Sequence, residues 1–120
     1  MSVREKNGNS IPVEVTEIIS KNEFFDYKSK YTSGYSTHIL PAKIPKKIYD
    51  KCMEDAKLAH DILNCNCISR SDFIFDGTNI FFLELNTQPG LTPISLVPEQ
   101  LKYHDISFDE LVMSLIDSAL

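Results

Sequence analysis

Residues Cys67–Asn86 read CISRSDFIFDGTNIFFLELN, two runs rich in β-branched and aromatic residues on either side of Asp76-Gly77-Thr78-Asn79. That pattern predicts a β-hairpin with strands over Cys67–Phe75 and Ile80–Asn86. Residues two apart on a strand share a face, so Arg70 points with Asp72, and Glu84 with Asn86. A three-residue turn at Gly77-Thr78-Asn79 sets Asp76 opposite Ile80; counting back then sets Asp72 opposite Glu84 and Arg70 opposite Asn86. A four-residue turn puts Asp72 and Glu84 on opposite faces instead. Carboxylates that face each other across a ladder repel unless a cation neutralises them. Two carboxylates and an amide carbonyl are hard oxygen donors, the set that suits Mg²⁺ together with waters and phosphate oxygens. The other face is expected to carry Phe73 and Phe75 with Phe81, Leu83 and Leu85, an apolar surface for a helix behind the sheet. The same residues also fit a plain solvent-facing hairpin in which Arg70 pairs with Asp72 or Glu84.

Outward from the hairpin, the periodicity changes. Ile44, Ile48, Cys52, Ala56, Ala59 and Leu63 recur at helical spacing, which predicts an amphipathic helix over Pro45–Leu63 with Asn64 as a left-handed cap. Lys43, Lys46, Lys47 and Lys51 fall on its outer face near Glu54 and Asp55, as a solvated surface does. On the C-terminal side, Thr87-Gln88-Pro89-Gly90-Leu91-Thr92-Pro93 reads as a loop and Pro98–Tyr103 as a short helix. Ser107 with Glu110 makes a capping box for a last helix whose apolar stripe is Phe108, Leu111, Val112, Leu115, Ile116 and Ala119. Near the start, Met1–Ser10 is expected to be an exposed beginning or a hairpin turn around Asn7-Gly8-Asn9. Ile11–Ile19 alternates as one strand, with Val13 and Val15 on one face and Glu14 and Thr16 on the other. Glu23–Tyr31 reads as a short strand entering a loop, and Thr32–Pro41 as connection.

At 120 residues the chain fits one domain. Its net charge of -5 argues against a nucleic-acid partner, which needs clustered Lys and Arg. No stretch approaches the ~20 apolar residues of a membrane span, and Met1–Ser10 lacks the apolar run of a signal peptide, so no membrane partner and a cytoplasmic location are expected. Cys52, Cys65 and Cys67 are odd in number and lack CxxC spacing, and read as free thiols.

Several stretches together resemble one family. Phe25-Asp26-Tyr27-Lys28-Ser29-Lys30-Tyr31, Leu40-Pro41-Ala42, Ser69-Arg70-Ser71-Asp72-Phe73, and the run from Glu84 through Asn86-Thr87-Gln88-Pro89-Gly90 to Ser95-Leu96-Val97-Pro98 follow the order found in D-alanine–D-alanine ligases, ATP-grasp enzymes of peptidoglycan precursor synthesis. The resemblance spans about Ile11 to Leu120. It implies that ATP, the co-substrate, phosphorylates one D-alanine and that the amine of a second attacks the acyl phosphate. It further implies Asp72, Glu84 and Asn86 as ligands of two Mg²⁺ or Mn²⁺ ions, with Glu84 bridging along the ATP phosphates. Arg70 and the Gly90 N–H resemble an oxyanion hole, and Ser95 and Leu96 resemble the seat of the second D-alanine's carboxylate. Lys30 resembles a phosphate-contacting lysine and Tyr31 the tyrosine that closes over the site. His38, His60 and His104 match no catalytic position.

The resemblance covers only the last part of such an enzyme: the N-terminal and central domains are expected to be missing from this chain, residues 1–120 being a partial ATP-grasp domain. Two readings follow. The chain is the C-terminal catalytic portion of a ligase, inactive alone and completed by the missing domains in cis or in trans, with a homodimer as an option for the complete enzyme. Alternatively, it is a noncatalytic truncated product that keeps the fold, with weak Mg²⁺-nucleotide binding or a role as an interaction module. The expected fold class is α+β, an antiparallel sheet packed by helices, the C-terminal subdomain of the ATP-grasp fold.

Overall fold

The computed structural model describes residues 1–20 and 36–120. Strands β1 (Ser2–Lys6), β2 (Asn9–Pro12), β5 (Ile68–Phe75) and β6 (Ile80–Asn86) form an antiparallel sheet in the order β2-β1-β5-β6. A second sheet pairs β3 (Glu17–Ser20) with β4 (Ser36–Ile39), also antiparallel. Among the described residues three helices accompany them: α1 (Lys46–Ile62), α2 (Leu96–Tyr103) and α3 (Phe108–Ala119). The α+β class expected from the sequence is the one the chain adopts.

Strand register decides which helix covers which face. Val3 pairs with Ser69 and Arg4 with Ile68, so Val3 and Ile68 lie on opposite faces of the sheet. Met1, Val3 and Val15 pack with Cys52 and Ala56 of α1. Ile68 packs with Val13, Cys67, and Val97, Leu101 and Leu111 from α2 and α3. Each fully buried aliphatic side chain here stabilises the fold by about 1.5–3 kcal/mol, and truncating Leu101, 2 % exposed, to alanine costs about 2–5 kcal/mol.

Local chemistry accounts for the elements. Asn7 and Gly8 both have positive φ, 54° and 78°, so they make the two-residue turn whose twist matches a right-twisted hairpin, and Lys6 pairs with Asn9. α1 begins after Pro45 and stops at Leu63, with Asn64 left-handed at φ 51° as expected. Its outer lysines are laced to acids one turn on, Lys46 to Asp50, Lys51 to Asp55 and Lys57 to Asp61. Ser107 caps α3 by accepting a hydrogen bond from the Glu110 N–H at 3.1 Å.

Several expectations fail, each for an identifiable reason. Ile11–Ile19 is two strands in two sheets, because the chain leaves the larger sheet at Val13, whose N–H donates to the Ser2 carbonyl. Val13 and Val15 alternate correctly but enter different cores, and Glu14 between them is buried too, at 4 % exposure. Of the two readings of Met1–Ser10 the hairpin turn holds and the exposed start fails: Ser2–Lys6 is a central strand, with Ser2 and Val3 wholly buried. Ser36–Ile39, expected as connection, is β4. The buried stripe of α1 runs Cys52, Ala56, His60; Leu63 is 62 % exposed. α2 starts at Leu96, with Pro98 inside its first turn, where a missing N–H costs nothing. On α3, Leu111 is buried but Phe108 and Ile116 are about half exposed. The expected strand over Glu23–Tyr31 lies outside the described residues.

Candidate active site

The hairpin between β5 and β6 builds the site by a route the turn count misses. Phe75 pairs with Ile80, so Asp76-Gly77-Thr78-Asn79 is a four-residue turn. The Asp76 carboxylate ties it by accepting from the N–H groups of Thr78 and Asn79 at 2.8 and 2.7 Å, bonds that hold this carboxyl below the usual range. A regular ladder from that turn would set Asp72 opposite Leu83 and turn Glu84 to the other face. Instead the register shifts between Asp72 and Phe73: Phe73 pairs with Phe82 and Asp72 with Glu84, leaving Leu83 as the extra residue of a β-bulge. Arg70 then pairs with Asn86. The four polar residues share a face, as the sequence count anticipated, because an even turn plus one bulge has the same parity as an odd turn. The apolar faces differ from expectation for the same reason: Phe82, not Phe81, meets Phe73 edge to face at a centroid distance of 5.3 Å, and Phe81 lies with Ile74.

Arg70 and Asp72 form a two-pronged ion pair, Nε to Oδ1 at 2.8 Å and Nη2 to Oδ2 at 3.0 Å, with side chains only 12 and 23 % exposed. Such a fork fixes the guanidinium plane. It leaves the facing Glu84 exposed, so the local charge of two carboxylates and one guanidinium is negative. Asn86 accepts from the Gln88 N–H at 2.8 Å through its side-chain oxygen, which retains a second lone pair. Two carboxylates and a carbonyl on one face are a donor set that fits a hard divalent cation. No cluster of three His, Cys, Asp or Glu side chains occurs among the described residues, so Asn86 is needed to complete any such set.

Gly90 lies in the loop between β6 and α2, next to the buried Pro89. Ser95 is the N-cap residue of α2 in position only: its Oγ accepts from the Thr92 N–H at 2.9 Å and meets Thr92 Oγ1 at 2.7 Å, bracing the loop rather than the helix. Leu96 is the first residue of α2. Lys30 and Tyr31 lie outside the described residues.

The sequence reading missed a polar framework around α2. Glu14 accepts from the Val15 N–H at 2.9 Å, from the Tyr49 hydroxyl, and contacts His104 Nε2 at 3.0 Å. Burial, reinforced by Glu14, pushes the Tyr49 phenol up. His38 Nδ1 lies 2.6 Å from Glu99. His60 Nδ1 lies 2.7 Å from Ser69 Oγ and its Nε2 3.5 Å from Glu5, a serine, histidine and carboxylate in sequence of contact, yet Ser69 is fully buried and offers no nucleophile to a substrate. Cys52, Cys65 and Cys67 are buried free thiols, as expected, and burial pushes the first two up and away from reactivity. Among the described residues no helix is long and apolar enough to cross a membrane.

An antiparallel sheet that presents facing carboxylates beside an arginine, with α1 packed behind it and α2 and α3 on the face of Ile68 and Arg70, is the C-terminal subdomain of the ATP-grasp fold. A family model described as D-ala D-ala ligase C-terminus matches residues 1–117, and the chain belongs to that family. Among curated relatives, a D-alanine–D-alanine ligase from Caulobacter sp. is 47 % identical over 119 residues, covering 98 % of this chain and 37 % of the relative. One from Zymomonas mobilis subsp. mobilis is 49 % identical over 110 residues, covering 88 and 34 %. Among solved structures, D-alanyl-alanine synthetase A from Vibrio cholerae superposes with TM-score 0.78 at 27 % identity, covering 98 % of this chain and 37 % of that one. The chain thus spans about a third of the length of the ligases it matches and corresponds to their C-terminal portion.

Proposed function

We propose that this chain supplies the phosphate- and acceptor-binding part of a D-alanine–D-alanine ligase, working with the remaining two-thirds of such an enzyme in the same or a separate polypeptide. The reaction in this reading joins two D-alanines: ATP phosphorylates one carboxylate, and the amine of the second D-alanine displaces phosphate to give the dipeptide, ADP and phosphate. The observation that carries it is the pairing of Asp72 with Glu84 and of Arg70 with Asn86 on one face.

Asp72, Glu84 and Asn86 would hold Mg²⁺, one or two ions, with Glu84 shared between them, and the charge held there would offset that of the phosphate oxygens. The Arg70 guanidinium is fixed by Asp72 before substrate arrives, and its remaining N–H groups, with the Gly90 N–H, serve the oxyanion that forms when the amine attacks. Ser95 and Leu96 sit where the positive end of α2 favours the acceptor's carboxylate. Lys30 contacts phosphate and Tyr31 covers the site in this reading.

Catalysis across a clamp needs groups from both sides, so the 120-residue chain alone should release no phosphate from ATP above background with D-alanine and Mg²⁺. Joined behind the first two-thirds of the Caulobacter relative, it should restore D-alanine-dependent phosphate release. Turnover by the chain alone would remove the need for the rest of the enzyme. A folded joined protein that releases no phosphate would remove the ligase reading.

A further inference from the structure

Gln100 is fully buried in α2, yet none of its side chain's hydrogen bonds stays within the helix. Its Oε1 accepts from the Ser2 N–H at 3.0 Å and from the Ser2 hydroxyl, and its Nε2 donates to Thr16 Oγ1 at 2.9 Å. The reason lies in the sheet. Met1 and Ser71 exchange both ladder hydrogen bonds, so the Ser2 N–H points away from β5, toward the place where β2 has already ended at Pro12. A buried N–H without an acceptor is costly, and Gln100 fills the vacated position.

Two parts of the proposed site meet at this one side chain. Ser2 stands directly opposite Arg70 in the sheet. Thr16, the second partner of Gln100, immediately precedes β3 and holds the glutamine in place. Gln100 itself lies one helical turn, about 5.4 Å, from Leu96 and on the same face of α2. The neighbouring Glu99 meets His38 on β4 at 2.6 Å, so α2 is tied to the smaller sheet as well. Apolar packing of Val97 and Leu101 presses α2 onto the core but allows sliding, whereas three directional hydrogen bonds fix its position.

We propose that Gln100 is a positioning residue that sets the distance between the Arg70 strand and the acceptor seat at Ser95–Leu96. The proposal rests on the ligase reading. The seat at Ser95–Leu96 binds the acceptor only when α2 is held against the sheet, so a modest loosening of α2 weakens acceptor binding as well as slowing the reaction.

The test uses the complete joined ligase, with three readouts: KM and kcat for D-alanine, the affinity for Mg²⁺-ADP, and Tm. Gln100→Met keeps the volume and removes all three bonds; it should raise KM for the acceptor D-alanine at least about tenfold while Mg²⁺-ADP affinity stays within about twofold. Thr16→Val, at a half-buried linker position where folding is not at stake, should raise the same KM about threefold, and Thr16→Ser, which restores the hydroxyl, should return it to the wild-type value. A purely structural glutamine would lower Tm and the active fraction with KM unchanged, and that result for Thr16→Val overturns the proposal even where Gln100→Met does not fold. A wild-type joined ligase without D-alanine-dependent turnover overturns the ligase reading, and the proposal falls with it.

Discussion

The two hairpins of the larger sheet solve the same problem differently. β1 and β2 meet at Asn7-Gly8, where two positive φ angles dictate a two-residue turn, and the ladder runs without interruption from Lys6↔Asn9 to Val3↔Pro12. β5 and β6 meet at a looser four-residue turn, and a bulge at Leu83 corrects the register halfway along. In the first hairpin the turn alone determines which side chains face which. In the second, the turn would misalign the carboxylates, and the residue that realigns them is adjacent to one of them. One hairpin is thus closed by its turn alone, and the one that carries the proposed site is tuned next to its carboxylates.

The largest test of this contrast is at Arg70. Arg70→Met leaves Asp72 and Glu84 facing each other without a cation, and stability measured by denaturant should fall by about 3 kcal/mol. Millimolar Mg²⁺ should recover part of that loss by binding only the folded form; no recovery would mean that the two carboxylates do not share an ion.

Next in size is the seam between the hairpins. In a polypeptide whose first residue is Met1, the terminal ammonium donates to the Ser71 carbonyl at 3.2 Å, and burial lowers its pKa from 8.0 to about 6. Between those values the folded state has released a proton that the unfolded state keeps, so stability rises with pH across this window. It is complete above pH 8 and lost as pH falls through 6, a change of about 2–3 kcal/mol. N-terminal acetylation should flatten the difference between the two pH values, and an unchanged slope would assign it to another group.

Gly8→Ala should cost about 1 kcal/mol, because an added Cβ meets nothing within 4 Å and only the left-handed backbone resists. The smallest effect is expected for deleting Leu83. Counting parity, the shortened β6 can pair Phe82 with Phe73 and Glu84 with Asp72 in an unbroken ladder. Cross-strand Hα contacts by NMR should therefore persist between residues 72 and 84. Their loss would show that the bulge shapes the site rather than merely absorbing a residue.

These hairpins also show what a sequence reveals. Periodicity found α1, Ser107 announced α3, and the parity of residues between Asp72 and Glu84 put the carboxylates together even though the turn length was wrong. The Ser95–Leu96 run declared the family, yet gave no hint that α2 starts at Leu96 or that Ser95 braces Thr92. Ile11–Ile19 misled because strict alternation looks the same whether its apolar residues enter one core or two: Val13 and Val15 went separate ways. Glu14, Gln100 and His104 were silent because a buried polar residue carries no periodic signature; its meaning lies in partners 35 to 98 residues distant in the chain.

The Leu83 bulge has one more consequence, for handling the molecule. β6 is the edge of its sheet among the described residues, and Phe81, Phe82 and Leu83 are 43–55 % exposed along it. A straight, greasy edge is an invitation to stack copies into fibrils, and an irregularity in mid-strand is a common safeguard against that. Removing Leu83 would spare the register and remove the safeguard, leaving a protein that is correctly folded but poorly soluble.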